Sequence, residues 1–142
     1  MTLSTQEKIS SLEQVPLLAG CSPAVIEKVA AATGEQAFAP GQAVVQQGQV
    51  GNGLYIVVSG AVRIVAGSEE LARLGPGEFL GELSVIDQQP RSASAIADGP
   101  TVCLALASWD LFDLLAQDSE LALNLLRGLA ARLRDADAQL RD

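Results

Sequence analysis

The middle of the chain consists of short, largely apolar runs separated by glycines, and no other feature constrains the fold as strongly. The runs are four to six residues long: Gln36–Ala39, Ala43–Gln46, Leu54–Ser59, Ala61–Ala66, Leu71–Leu74, Ser94–Ala97 and Thr101–Leu106. Glycines lie between or beside them at positions 41, 48, 51, 53, 60, 67, 75 and 77. Runs of this length between turn residues are typical of β-strands. The pattern therefore predicts a β-sandwich, jelly roll or barrel.

Helical spacing replaces this pattern at both ends of the chain. Near the start, apolar residues recur at helical intervals, and Ser22 followed by Pro23 provides the cap residue and first-turn proline that open a second helix. We therefore expect a single domain of mainly β structure with flanking helices. It has an N-terminal helical segment at 1–33, a β-roll at 34–107 and two C-terminal helices at 108–142.

The two C-terminal helices have different apolar faces. In the first, Trp109, Phe112 and Leu115 form one side, as in a helix that packs onto a core. In the second, a stripe with three- and four-residue spacing is formed by Leu126, Leu129, Leu133, Ala136 and Leu140. The stripe is equally typical of a helix that lies on the roll and of a seam that pairs two chains. The stripe allows two partners for this helix: a second copy of the chain, which would form a homodimer, or an effector protein.

Composition excludes several classes of function. The 142 residues have a net charge of −8, whereas nucleic-acid-binding proteins present a basic surface, so we expect no direct nucleic-acid binding. No apolar run is long enough to span a membrane, and Cys21 and Cys103 lack the spacing of a metal or disulfide site, so we expect a cytoplasmic protein. The chain has no histidine, which removes most nucleophile–base pairs and imidazole ligands. We expect no enzyme activity, no metal and no cofactor.

The segment from Gly77 to Ala95 interrupts the strand pattern and contains the residues with binding chemistry. Its residues 81–86 can form one helical turn whose N–H groups point at an anion. Arg91 follows Pro90, and a guanidinium there matches a phosphate diester in bidentate fashion. An ionised Glu82 only accepts hydrogen bonds, which suits a free ribose 2′-OH. One charge is thus expected to bind phosphate and the other to bind sugar.

This segment resembles the phosphate-binding cassette of cyclic nucleotide-binding domains, the family that includes the sensor domains of cAMP receptor proteins and protein kinase A regulatory subunits. Gly81-Glu82-Leu83-Ser84 and Pro90-Arg91-Ser92-Ala93 match the family pattern at its Glu-to-Arg spacing. The resemblance covers nearly the whole chain, since the roll, the glycine-rich turns and the trailing helices occur in family order. It implies a double-stranded β-helix, or jelly roll, that binds a 3′,5′-cyclic nucleotide in a cassette at 77–95.

The resemblance also implies individual ligand contacts. It places Glu82 on the ribose 2′-OH and Arg91 on the cyclic phosphate. The remaining phosphate oxygens would be bound by the backbone of Gly81, Leu83, Ser84, Ser92 and Ala93, with the Ser92 hydroxyl as a further donor.

The base would lie among apolar side chains. Ile64, Leu71 and Leu80 fall where the family lines its purine pocket, although each would serve equally well in the core. Arg132 in the last helix either approaches Glu82 or is a solvated arginine on an acidic helix.

The sequence therefore predicts a sensor module that binds cAMP in preference to cGMP and transmits occupancy through its C-terminal helices. Three alternatives stay open: a cGMP-binding module, a degenerate interaction domain that binds no nucleotide, and the sensor part of a larger transcription factor, kinase or channel.

Overall fold

Within the described residues, the fold consists of eight short strands with helices at both ends of the chain. The computed structural model describes residues 2–51, 53–81 and 87–141, apart from the side chains at 136 and 139–141. The helices are α1 (Thr5–Leu12), α2 (Pro23–Ala32), α3 (Ser108–Gln117) and α4 (Ser119–Arg141), with a 3-10 turn at Pro16–Leu18. The strands are β1 (Gly34–Phe38), β2 (Ala43–Val45), β3 (Gly53–Ser59), β4 (Val62–Ala66), β5 (Glu69–Leu74), β6 (Phe79–Leu80), β7 (Ser94–Ala97) and β8 (Thr101–Ala107).

The strands form two antiparallel four-stranded sheets. Their orders are β1-β8-β3-β6 and β2-β7-β4-β5, so that strands distant in sequence are neighbours in each sheet. The predicted jelly roll with N-terminal helices and two C-terminal helices is confirmed. Strand β6 was not predicted, because two residues are too few to show an alternating pattern.

The two central strands of the first sheet, β3 and β8, are buried on both faces. In β8, Leu104 and Leu106 point toward the helices, whereas Cys103 points into the space between the two sheets. In β3, Ile56 likewise packs under the helices, and Val57 packs between the two sheets. Successive strand residues point to opposite faces, so burial of both faces requires the near-continuous apolar runs seen in the sequence. This sheet therefore joins two cores, one under the helices and one inside the roll.

The predicted cap of α2 is present. The Ser22 side chain accepts a hydrogen bond from the backbone N–H of Val25 at 3.3 Å, and Pro23 occupies the first turn. The serine side chain gives the helix start an additional hydrogen-bond acceptor, and the proline has no N–H group that would need one.

The helix predicted from residue 108 is present, but the prediction of which face packs against the core was wrong. Leu111 and Leu114 are buried, whereas the side chains of Trp109 and Phe112 are 66% and 39% exposed. Leu115 packs only partly against the core. Apolar residues cover more than half of this helix, so spacing alone did not decide which side packs. Contacts with β8, α2 and α4 fix the orientation instead.

The first half of α4 lies against the rest of the protein. Leu121 and Leu125 are buried, and the Asn124 side chain donates to the carbonyl oxygens of Leu17 at 3.0 Å and Ala19 at 2.6 Å. No helix within the described part of the chain is long and apolar enough to cross a membrane.

The predicted apolar stripe of α4 divides between two environments. Leu129 packs partly against the core, whereas Leu126 and Leu133 are 61% and 71% exposed. The side chains of Ala136 and Leu140 lie outside the described residues. The helix therefore lies on the body of the protein through its first half, while part of the stripe faces outward.

Truncation of a buried side chain in β8 should test this arrangement. We expect Leu104→Ala to lower the free energy of unfolding by about 2–5 kcal/mol, because Leu104 is fully buried and the change leaves a cavity. Leu71→Ala should change it by no more than about 0.5 kcal/mol, because Leu71 is 54% exposed. Urea denaturation followed by circular dichroism measures both values. Equal losses in the two variants would contradict the packing described here.

Candidate functional site

A cavity of about 630 Å³ is lined by residues of both sheets, by the segment between β6 and β7, and by α4. Its size is typical of small-molecule sites. The lining residues are Val45, Ile64, Ala72, Leu74, Glu78, Phe79, Leu80, Gly81, Asp87, Gln89, Pro90, Arg91, Ser92, Ala93, Ser94, Ala95 and Arg132.

One wall of the cavity is apolar. Ile64 of β4 and Leu80 of β6, which were predicted to contact a base, line this wall, and Leu80 is nearly fully buried. Leu71 is not among the lining residues and is exposed. The register places Ala72 opposite Ile64 on the inner face of the pair, so the preceding Leu71 points outward. Strand alternation therefore places Ala72 and Leu74 where Leu71 was expected.

Arg91 lines the cavity and is held by the loop between β2 and β3 and by the first residue of β3. Its Nη2 atom donates to the carbonyl oxygen of Gly53 at 3.0 Å. Its backbone N–H donates to the backbone carbonyl oxygen of Gln49 at 2.8 Å, and its own carbonyl oxygen accepts from the N–H of Gly48 at 2.8 Å. The backbone of Arg91 is thus fixed in both directions, and its guanidinium is held beside the cavity.

The charge of Arg91 is not matched by a carboxylate among the described residues. No carboxylate oxygen of residues 2–51, 53–81 and 87–141 lies within 4.0 Å of its guanidinium. Other arginines of the chain do form such ion pairs: Arg63 and Arg73 with Glu70, Arg73 with Asp98, and Arg127 with Glu120. Arg91 therefore presents a cation to the cavity.

Burial lowers the pKa of the Arg91 guanidinium from its usual value, while the nearby Tyr55 hydroxyl raises it. A guanidinium nevertheless stays protonated in proteins, so the site carries a full positive charge at neutral pH. Desolvation of this cation is unfavourable unless hydrogen bonds or an anion offset it. The cavity is therefore suited to an anionic group beside Arg91.

The expected cassette residues are only partly described. Gly81, Ser92 and Ala93 line the cavity with Arg91, whereas Glu82, Leu83 and Ser84 lie outside the described residues. Ser92 is exposed, and its hydroxyl has no hydrogen-bond partner among the residues that the structure describes. The neighbouring Ser94 hydroxyl instead accepts from the backbone N–H of Gln47 at 2.9 Å.

Arg132 reaches from α4 to the opposite side of the cavity. Its Nη2 atom donates to the carbonyl oxygen of Phe79 at 3.0 Å, and its Cζ atom lies 4.9 Å from the centroid of the Phe79 ring. Partial burial lowers the pKa of Arg132, while Glu78 raises it. The expected approach of Arg132 to Glu82 lies outside the described residues. Arg132 thus connects α4 to β6, two residues before Gly81.

The carboxylates that line the cavity hold turns of the backbone. Glu78 accepts a hydrogen bond from the N–H of Gly75 at 3.0 Å, and Asp87 accepts one from the N–H of Gln89 at 3.0 Å. These local bonds are typical of acidic residues in turns.

Some lining residues were not predicted from the sequence. The alternation within β5 could have indicated Ala72 and Leu74, but Val45 and Phe79 become neighbours of the cassette only through the sheet pairing. The role of the Gly53 carbonyl has no sequence signal, because every residue has such a group. With an apolar wall and the fixed guanidinium of Arg91, the cavity can bind an amphipathic anion.

Comparison with known proteins identifies the family of the chain. The model of the cyclic nucleotide-binding domain family matches residues 35–118. The cyclic AMP receptor protein of Thermus thermophilus is 39% identical over 130 residues, which are 88% of this chain and 60% of that protein. A cGMP-dependent protein kinase of Eimeria tenella is 41% identical over 78 residues, 55% of this chain and 8% of the kinase.

A solved structure has the same architecture. The regulatory domain of Toxoplasma gondii PKA, crystallised with cAMP, matches with a TM-score of 0.80 and 28% identity over 90% of this chain and 50% of that one. The chain thus spans 60% or less of the length of these three proteins. Because the family model covers more than half of the sequence and includes β1 to α3, this chain belongs to the cyclic nucleotide-binding domain family.

Proposed function

We propose that this chain binds a 3′,5′-cyclic nucleotide, cAMP in preference to cGMP, and transmits occupancy through α4. The observation that carries the proposal is the partly buried guanidinium of Arg91, which borders the cavity without a carboxylate partner among the described residues. A cyclic phosphate diester carries one negative charge and two free oxygens, which suit the fork of a guanidinium.

The remaining contacts are proposed from the cavity lining and from the resemblance of the cassette to that of the family. Gly81, Ser92 and Ala93 offer backbone groups near Arg91, and the base would lie against the wall that contains Ile64 and Leu80. We propose that Glu82 accepts a hydrogen bond from the ribose 2′-OH. Leu83 and Ser84 would contribute backbone N–H groups to the phosphate.

The preference for cAMP rests on the relatives. The match that covers 88% of this chain is to a protein named for cAMP, and the regulatory domain from Toxoplasma gondii was crystallised with cAMP. The match to a cGMP-dependent kinase covers only 55% of this chain. Binding of cGMP is the second candidate function, and a competitive titration of the two nucleotides distinguishes them.

The phosphate contact can be tested by substitution of Arg91. We expect Arg91→Ala to weaken cAMP binding by roughly 10- to 150-fold or more, since each charge-assisted hydrogen bond contributes about 1.5–3 kcal/mol. Arg134→Ala is the matched control, because Arg134 is exposed and does not line the cavity. Isothermal titration calorimetry measures both affinities. Absence of heat with cAMP and cGMP in the unaltered protein would instead favour a degenerate domain that binds no nucleotide.

The sugar contact can be tested with a modified ligand. The unaltered protein should bind 2′-deoxy-cAMP more weakly than cAMP, by about tenfold or more, because the carboxylate of Glu82 loses its donor. Glu82→Gln should reduce this difference, whereas Asp87→Asn should preserve it, because Asp87 bonds to its own turn. If Glu82→Gln discriminates the two ligands as well as the unaltered protein does, Glu82 does not bind the 2′-OH.

Arg132 offers a physical route from the site to α4. It bonds to Phe79, two residues from Gly81, so a shift of the cassette on phosphate binding would move its partner. Ligand can change the position of α4 only if it binds the two arrangements with different affinity. We propose that cAMP favours one packing of α4 through this contact.

The route through Arg132 predicts a separation of binding from transmission. Arg132→Met keeps the apolar stem but loses the guanidinium, so cAMP should still bind within about tenfold of its original affinity. The change in hydrogen exchange of α4 on cAMP addition should be largely lost in Arg132→Met and retained in Arg134→Met. An unchanged exchange response in Arg132→Met would show that another contact couples the site to α4.

Further parts of the function stay predictions. We propose a binding module without turnover, and formation of AMP from cAMP by the purified protein would contradict this. The outward part of the α4 stripe is suited to contact with a second copy of the chain or with an effector protein. That the chain is the sensor part of a larger transcription factor, kinase or channel stays an alternative prediction. Absence of direct nucleic-acid binding and a cytoplasmic location also stay predictions.

A further inference from the structure

We infer that Gly51 is a positioning residue for the guanidinium of Arg91, and hence a determinant of affinity for the cyclic phosphate. This inference deepens the proposed function and rests on it. Gly51 lies outside the segment at 77–95, in the loop between β2 and β3, and does not itself line the cavity.

The geometry leaves no room for a side chain at position 51. A Cβ atom built on Gly51 would lie 2.1 Å from Nη2, 2.2 Å from Cζ and 2.5 Å from Nε of Arg91. Contacts this short are incompatible with van der Waals radii, so one of the two groups must move. The flat guanidinium therefore packs directly against the backbone of Gly51, which only the absence of a side chain permits.

The guanidinium is the group that would move. The backbone of Arg91 is tied to the same loop by two hydrogen bonds with Gln49 and Gly48, and Val50 forms a β-bridge with Pro90. These bonds hold the two backbones close together. The end of the arginine side chain, by contrast, can change rotamer at little energetic expense. A methyl group at position 51 should therefore leave the fold intact and displace the guanidinium from the carbonyl of Gly53.

Gly81 borders the other side of the guanidinium but is a less specific site to test. A Cβ there would lie 2.8 Å from Nη1 of Arg91 and also 2.8 Å from the carbonyl oxygen of Gly53, and its φ of +95° is unfavourable for other residues. A substitution at position 81 would thus strain the backbone. Gly51 has no positive φ, so its substitution acts mainly through the contact with Arg91.

The test compares cAMP affinities of single variants by isothermal titration calorimetry. Gly51→Ala should weaken cAMP binding by about tenfold or more, comparable with the loss of one charge-assisted hydrogen bond, without lowering Tm. Gly34→Ala is the matched control, because no atom lies within 4 Å of its built Cβ and its φ is not positive. Gly34→Ala should bind cAMP as the unaltered protein does.

A double-variant cycle separates positioning of Arg91 from a general structural effect. Lysine at position 91 keeps the charge but lacks the flat fork that meets position 51. Addition of Gly51→Ala to Arg91→Lys should therefore weaken cAMP binding much less than Gly51→Ala does alone. Equal fold-losses in the two backgrounds would show that Gly51 acts independently of Arg91 and would overturn the inference.

A readout without ligand distinguishes this inference from the proposed function. In the ligand-free protein, the Nε–H NMR signal of Arg91 should shift in Gly51→Ala toward that of a solvated arginine and stay unchanged in Gly34→Ala. An unchanged signal overturns the positioning role, whatever the protein binds. A shifted signal in a protein that binds neither cAMP nor cGMP would support the contact between Gly51 and the guanidinium of Arg91, and would refute the proposed function.

Discussion

The structure depends on burial of both faces of β3 and β8, the central strands of the sheet β1-β8-β3-β6. One face packs under the helices and the other packs on the second sheet, so strands β3 and β8 lie in two cores at once. Apolar burial is the main favourable contribution to folding, and these strands make that contribution twice. The same sheet ends at β6, where Leu80 forms part of the cavity wall. One side of the cavity is thus an edge of the more buried of the two sheets.

The polar end of the cavity depends on a different kind of constraint. Arg91 is held by backbone groups of the loop between β2 and β3 and of the start of β3, rather than by a carboxylate among the described residues. Neutral carbonyl groups orient a guanidinium without cancelling its charge, so the cation stays available to an anion. Two glycines, Gly51 and Gly81, lie close enough to the guanidinium to exclude any side chain from the space. Charge and position are therefore supplied by separate parts of the chain.

Much of the fold could be predicted from the sequence, because its strands and helices have clear periodicity and clear ends. Ser22 and Pro23 predicted the start of α2, and Ser94–Ala97 was predicted with the bounds that the structure has. The packing face of α3 was not predicted correctly, since Trp109 and Phe112 are exposed while Leu111 and Leu114 are buried. Apolar residues on both sides of a helix leave that decision to the neighbouring elements.

The sequence by itself determined the classes of local structure, the absence of histidine and the presence of a glutamate and an arginine, Glu82 and Arg91, in one short segment. Only the tertiary structure decided that Ala72 rather than Leu71 lines the cavity, that Arg132 bonds to Phe79, and that Gly51 packs against Arg91. Periodicity and residue chemistry are local properties, which a sequence displays directly. Contacts across strands and loops depend on register and on the path of the chain, and these are fixed only when distant segments pack together.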